Sequence, residues 1–266
     1  EALNHVDQTH KYKTDMVDQK LQDSKIIPIP PTIDIDFDAL TPIENREKNI
    51  LCFGIIRKFK GISEYALPLA EELKNAGRTE KVIIVGSIPE DDQSVVKTLL
   101  KASYPTFSSE IEGTTSKDDI LRLFRDELSN ETPQINIEFN FEVDDNQLSP
   151  IFEKCRAAIN FHDKGLSPHF SGVVNTLFSG MKNYGLDKLL VSKEFKTGGK
   201  YTHIGECFSP DEKTGSVANK IVADLETLDK DIAQIKRQCK AYKEGDAPSI
   251  ENVTKKFMGI YDRISK

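Results

Sequence analysis

The stretch Asn49-Ile-Leu-Cys-Phe-Gly-Ile-Ile-Arg-Lys-Phe-Lys-Gly-Ile62 decides the fold. Its first five residues form an apolar run that stops at Gly54, the length and composition of a buried strand. A basic loop follows, carrying Arg57, Lys58 and Lys60 and closed by Gly61. Beyond it Ile62, Tyr65, Ala66, Leu69, Ala70 and Leu73 recur at helical spacing. Pro68 lies inside that helix, where its missing N–H should weaken or kink it.

Outward from this unit, strands and helices alternate. Residues 81–85 (KVIIV) read as a fully buried strand with Gly86 behind it. Two helices are expected between Ser87 and Pro133, one bearing Val95, Val96, Leu99 and Leu100, the other Ile120, Leu121, Phe124 and Leu128. Residues 135–141 alternate apolar and polar, as a strand exposed on one side does. A helix bearing Leu148, Ile151, Phe152 and Cys155 follows, starting either near Asp144 or at the Ser149–Pro150 pair. Residues 157–161 and 188–192 read as further strands around a helix at 174–183. Ser216 is the expected cap of a long helix carrying Val217, Ile221, Leu225, Leu228, Ile232 and Ile235. Ser249 should cap the last, with Ile250, Val253, Phe257, Ile260, Tyr261 and Ile264 on one stripe. Short strands alternating with amphipathic helices predict an α/β domain with a doubly wound parallel sheet, Rossmann-like, flanked by terminal helices.

The opening segment differs. Residues 1–24 are polar and charged, and prolines 28, 30 and 31 force an extended connector. The expected division is an N-terminal arm and connector over 1–46 and the Rossmann-like domain over 47–266. Glu1 opens the chain without an initiator Met or a signal-peptide pattern, so it reads as part of a longer protein.

Composition excludes several functions. The 36 Lys and Arg against 43 Asp and Glu leave a net charge of −7, which argues against a broad nucleic-acid surface. No apolar run approaches the ~20 residues of a membrane span, so no membrane contact is indicated and a cytoplasmic location is expected. Cys52, Cys155, Cys207 and Cys239 are scattered without a CxxC, as reduced buried thiols are.

Ligands of open α/β sheets lie beyond the carboxyl ends of the strands. Two loops are placed there. The Gly54–Gly61 loop leads into a helix start, whose free N–H groups and positive dipole end, with Arg57, Lys58 and Lys60, suit a phosphate. It is neither a Walker A loop nor GxGxxG, and a solvated basic turn is the alternative. The second loop, residues 161–173, holds His162, Asp163 and His169 at a spacing that does not favour a metal site.

Three blocks in this order, Ile26-Ile-Pro-Ile-Pro-Pro-Thr-Ile-Asp34, the Asn49–Ile62 stretch and Lys81-Val-Ile-Ile-Val-Gly86, resemble the C-terminal, donor-binding half of GT-B glycosyltransferases. Retaining glycosyltransferase family 4 is the group most resembled. Phe141-Glu-Val-Asp-Asp-Asn-Gln-Leu148 and the closing helices, with Phe257-Met-Gly-Ile-Tyr261, continue the likeness over residues 25–266. The resemblance implies a nucleotide-sugar donor as substrate, no cofactor and no metal, and an N-terminal GT-B half outside this chain. It implies that Gly54, Arg57, Lys60 and Gly61 hold the donor diphosphate. His162, Ser171, Gly172 and Ser179 would line its sugar and ribose.

Two departures stand out. The family places an Arg directly after the loop glycine, where this chain has Ile55; Arg57 is the candidate substitute. The family also carries two glutamates eight positions apart, and with Met181 matched to the family's methionine these become Ser171 and Ser179. A hydroxyl still hydrogen-bonds a sugar but offers no charge-assisted contact. Two readings follow: a donor-binding glycosyltransferase domain, or a non-catalytic GT-B-like binding module with a degenerate site. An unrelated doubly wound regulatory domain is the third.

Overall fold

The computed structural model describes residues 40–160, 180–186, 205–209 and 211–244. They fall within one unit, Asp34–Ala247. The arm, most of the connector, the expected 161–173 loop, residues 174–179 of the expected helix, the expected 188–192 strand and the expected Ser249 helix lie outside the described residues.

Strand β1 (Asn49–Phe53) leads through the basic loop into helix α1 (Ile62–Asn75) and then strand β2 (Val82–Gly86). Helices α2 (Ser94–Ser103), α3 (Ser108–Gly113) and α4 (Lys117–Asp126) precede β3 (Ile137–Phe141). Helix α5 (Asp145–Glu153), strands β4 (Cys155–Asn160), β5 (Lys182–Leu186) and β6 (Gly205–Phe208), and helix α6 (Thr214–Glu244) complete the described elements. The strands form one sheet in the order β3-β2-β1-β4-β5-β6, and every neighbouring pair is parallel. The order reverses beside β1, between β1 and β4, as in a doubly wound Rossmann-like sheet.

Burial explains why these segments are strands. All five β2 residues are buried, as a strand covered on both faces requires. Leu51, Ile83, Val85 and Ala158 share one face and pack with Leu148, Ile151 and Phe152 of α5. On the other side of the strand period, Ile50 and Ile84 are completely buried. Helix α1 buries Ile62, Ala66, Leu69, Ala70 and Leu73 and packs along α6. The helix runs continuously through Pro68, held by that apolar stripe despite the lost hydrogen bond.

Several expectations change. The end of the helix expected at 174–183 is instead strand, since residues 182 and 183 belong to β5 at Lys182–Leu186. This segment reads as polar, yet its Lys182 and Asn183 are buried. Lys182 Nζ lies 2.6 Å from Asp224 Oδ2 and 2.7 Å from Asp231 Oδ2, both on α6, and Tyr184 donates its hydroxyl to Asp224. Burial opposes the Lys182 charge, but its two carboxylates outweigh this and raise its pKa. Asn183, Tyr184 and Gly185 are strand residues. Ser216 is not the cap of α6: the helix begins at Thr214, and Ser216 donates to Glu212 Oε1 at 2.7 Å. For α5 the cap is Asp144, whose carboxylate accepts the Gln147 N–H while Gln147 reaches back, so Pro150 sits inside the helix. The short helix α3 was not expected, because Ile111 alone among its six residues is buried.

The segment before β1 is fastened to the sheet. Thr41 donates its N–H and hydroxyl to Glu153 Oε1 at 2.9 and 3.0 Å. Arg156 of β4 donates to the carbonyls of Arg46 and Glu44 and to Asp229 of α6, at 2.5, 2.8 and 2.5 Å.

Candidate functional site

Because the strands are parallel, the loops after β1, β2, β3 and β4 all leave the same edge of the sheet. Hydrogen bonds tie the first three together. Gly54 donates its N–H to the Val85 carbonyl at 2.9 Å, and Ile56 donates to the Ser87 carbonyl at 3.0 Å. The Ile56 side chain is completely buried, which anchors the loop. Glu142, just after β3, donates its N–H to the Gly86 carbonyl at 3.2 Å, and its carboxylate accepts the Ile88 N–H at 2.7 Å.

Two glycines in this seam are required by geometry. Gly54 has φ 122°, in the region open to glycine. A Cβ on Gly86 would lie 1.9 Å from the Gly54 carbonyl oxygen, so the end of β2 passes directly under the loop. Glu142 is the non-glycine residue with positive φ, 53°, among the described residues. Its carboxylate also meets Lys117 at 3.1 Å, at the start of α4.

The basic loop then folds into a 3-10 turn, Lys58–Lys60, and Gly61 at φ 60° turns the chain into α1. Gly61 is the N-cap and has no side chain, so no side-chain cap covers the first N–H groups of the helix. Lys60 folds back over Gly54: a Cβ there would stand 2.6 Å from its Nζ. The side chain is half-buried, and no carboxylate or hydrogen-bond acceptor meets its ammonium among the described residues. Burial lowers its pKa below the usual lysine value. Beneath it, burial pushes the Cys52 thiol up to about 12, and the Lys60 charge pulls against that rise. Cys52 and Cys155 are both free and buried.

Arg57 is placed differently. Its guanidinium is held by Asp91 of the β2–α2 loop, with contacts of 3.2 and 2.9 Å to the two carboxylate oxygens. Asp92 beside it is held below its usual value by hydrogen bonds from the Ser94 hydroxyl and N–H, with Arg57 and Lys58 adding to the effect. Ile55, at the position of the family's arginine, is 46% exposed. Thus Gly54, Lys60 and Gly61 form one cradle, and Arg57 stands beside it with its charge engaged. His162, Ser171, Gly172 and Ser179 lie outside the described residues.

Sequence reasoning missed Asp91 and Glu142. Glu142 leaves no signal, since a glutamate after a strand is unremarked in any pattern. Gly86 had a signal, a glycine closing a wholly apolar strand. Elsewhere a cleft of about 390 Å³ between α3 and α4 is lined by Glu110, Asp119, Asp126 and Glu127 with Arg122, a lining that repels anions. No group of metal-ligating side chains occurs among the described residues, and none of their helices is long and apolar enough to cross a membrane.

No protein-family model and no curated protein matches the sequence. Solved structures do match the fold. A glycosyltransferase from Rickettsia africae is 17% identical at a TM-score of 0.54, covering 95% of this chain and 62% of its own. The pneumococcal O-GlcNAc transferase GtfA, in complex with UDP and GlcNAc, is 12% identical at 0.51, covering 96% and 44%. WaaG, a glycosyltransferase involved in lipopolysaccharide biosynthesis, is 11% identical at 0.50, covering 83% and 53%. The chain therefore spans about half of the length of these proteins. Its parallel sheet, order reversal and flanking helices share the Rossmann-like α/β fold found in these glycosyltransferase structures.

Proposed function

We propose that this chain is the nucleotide-sugar-binding half of a GT-B glycosyltransferase, serving retaining transfer of the family 4 kind. One observation carries the reading: the half-buried Lys60 ammonium, without a counter-charge among the described residues, above Gly54 and beside the uncapped start of α1. A half-buried cation without a counter-charge, in a loop that leads into a helix start with uncapped N–H groups, is stabilised by an anion, and a diphosphate supplies two adjacent anionic groups. In transfer the donor diphosphate is the leaving group. Lys60 and the α1 amides would stabilise the charge that builds on it as the glycosidic bond breaks. His162, Ser171, Gly172 and Ser179 are assigned to the sugar and ribose on the resemblance alone. Acceptor binding would fall to a second Rossmann-like half.

A non-catalytic binding module is the second reading. Ile55 in place of the arginine and the engagement of Arg57 by Asp91 favour it. Thermal unfolding with UDP, GDP, ADP and their sugars separates the two. A ligand at ~100 times its dissociation constant adds roughly 2.7 kcal/mol and raises Tm. UDP is the first probe, since GtfA was solved with it. A rise in Tm that disappears in Lys60→Met supports donor binding. No rise with any nucleotide, in a folded chain, overturns it in favour of the module.

A further inference from the structure

Arg57 and Lys60, two of the three cations of the basic loop, are held differently. Lys60 has no partner among the described residues, whereas both terminal nitrogens of Arg57 are used by Asp91. We infer that Asp91 competes with the donor diphosphate for Arg57, so the ion pair must be exchanged when the anion binds. This rests on the proposed nucleotide-sugar reading and extends it to what sets the site's affinity.

Three observations support the exchange. Arg57 immediately precedes the turn that carries Lys60, and its carbonyl accepts the Lys60 N–H at 3.1 Å, so both side chains spring from one short loop. The carboxylate presents two oxygens to the guanidinium fork, the geometry that a phosphate also offers. The pair is exposed, at 36% for Arg57 and 66% for Asp91, and an exposed pair is weak enough to be replaced by a doubly charged anion. The backbone need not follow. Gly54 and Ile56 are bonded to Val85 and Ser87, and Ile88 to Glu142, so both loops are held and the exchange is a side-chain event.

The test uses calorimetric titration of the full 266-residue chain with UDP and, separately, inorganic pyrophosphate. Five proteins are compared: the unaltered chain, Asp91→Asn, Asp91→Ser, Arg57→Gln and the Asp91→Asn/Arg57→Gln double variant. Asp91→Asn should tighten both ligands about 3- to 5-fold, the worth of an exposed pair. The gain should vanish in the Arg57→Gln background. Asp91→Ser, which also removes the carboxylate, should reproduce it and guards against a local effect of asparagine. Unchanged or weaker binding in Asp91→Asn and Asp91→Ser overturns the inference and leaves the reading standing. An equal gain with and without Arg57 also overturns it, because Asp91 would then act only through its general field. If none of the proteins binds either ligand, the reading itself falls and the inference with it.

Discussion

Replacing Gly86 by alanine should unseat the basic loop. The added Cβ would stand 1.9 Å from the Gly54 carbonyl oxygen and 2.7 Å from its carbon, where such contacts essentially never fall under 3.0 Å. The carbonyl must therefore retreat by about 1 Å. It cannot do so freely, because the Gly54 N–H bonds Val85 and the Ile56 N–H bonds Ser87, the two residues that flank Gly86. Overpacking a closed site costs roughly 1–3 kcal/mol, and each strained or lost hydrogen bond adds about 1 kcal/mol. The expected destabilisation is about 3 kcal/mol, read by urea unfolding. Gly215→Ala is the control: nothing lies within 4 Å of its Cβ, and it sits near the start of α6, where alanine gains up to about 1 kcal/mol. Nucleotide binding should fall in Gly86→Ala and not in Gly215→Ala. A Gly86→Ala protein within about 0.5 kcal/mol of the unaltered chain would refute the close approach and the seam built on it.

Three further outcomes are expected. Lys182→Met should cost about 3 kcal/mol in urea unfolding, since it strands Asp224 and Asp231 without their shared cation. Asp119 is held to about 2, below the ordinary aspartate value of 3.8, chiefly by the Thr115 hydroxyl and then by its N–H; the stabilisation is present above 3.8 and lost as pH falls toward 2. Acid unfolding followed by circular dichroism should therefore lose part of its steepness in that window in Asp119→Asn. Lys60 is lowered below the ordinary 10.5, so its ammonium deprotonates earlier than a free lysine; pyrophosphate affinity should weaken as pH approaches that value from below, while Lys60→Arg should keep its affinity.

The fold was legible wherever apolar residues decide it. β1 and β2 are apolar runs ended by glycine, and α1, α2 and α4 carry stripes at helical spacing. β5 was not legible, because its polar residues are buried against partners far along the chain. Lys182 meets Asp231, 49 residues on, and Tyr184 meets Asp224, 40 residues on; no local window contains either partner. The same limit applies at the site. The loop sequence groups Gly54, Arg57, Lys60 and Gly61 as one candidate phosphate site, and in it Arg57 looks as free as Lys60 until Asp91, 34 residues away, is brought beside it. Glu142 was hidden for a different reason: its role depends on a backbone conformation that no residue pattern announces.

The central claim is that a nucleoside diphosphate lies over Gly54 against the Lys60 ammonium. A crystal structure of the chain grown with UDP tests it directly. The account predicts diphosphate oxygens in hydrogen-bond contact with Lys60 Nζ and with the first N–H groups of α1. UDP bound elsewhere, with Lys60 still folded over an empty loop, would contradict it.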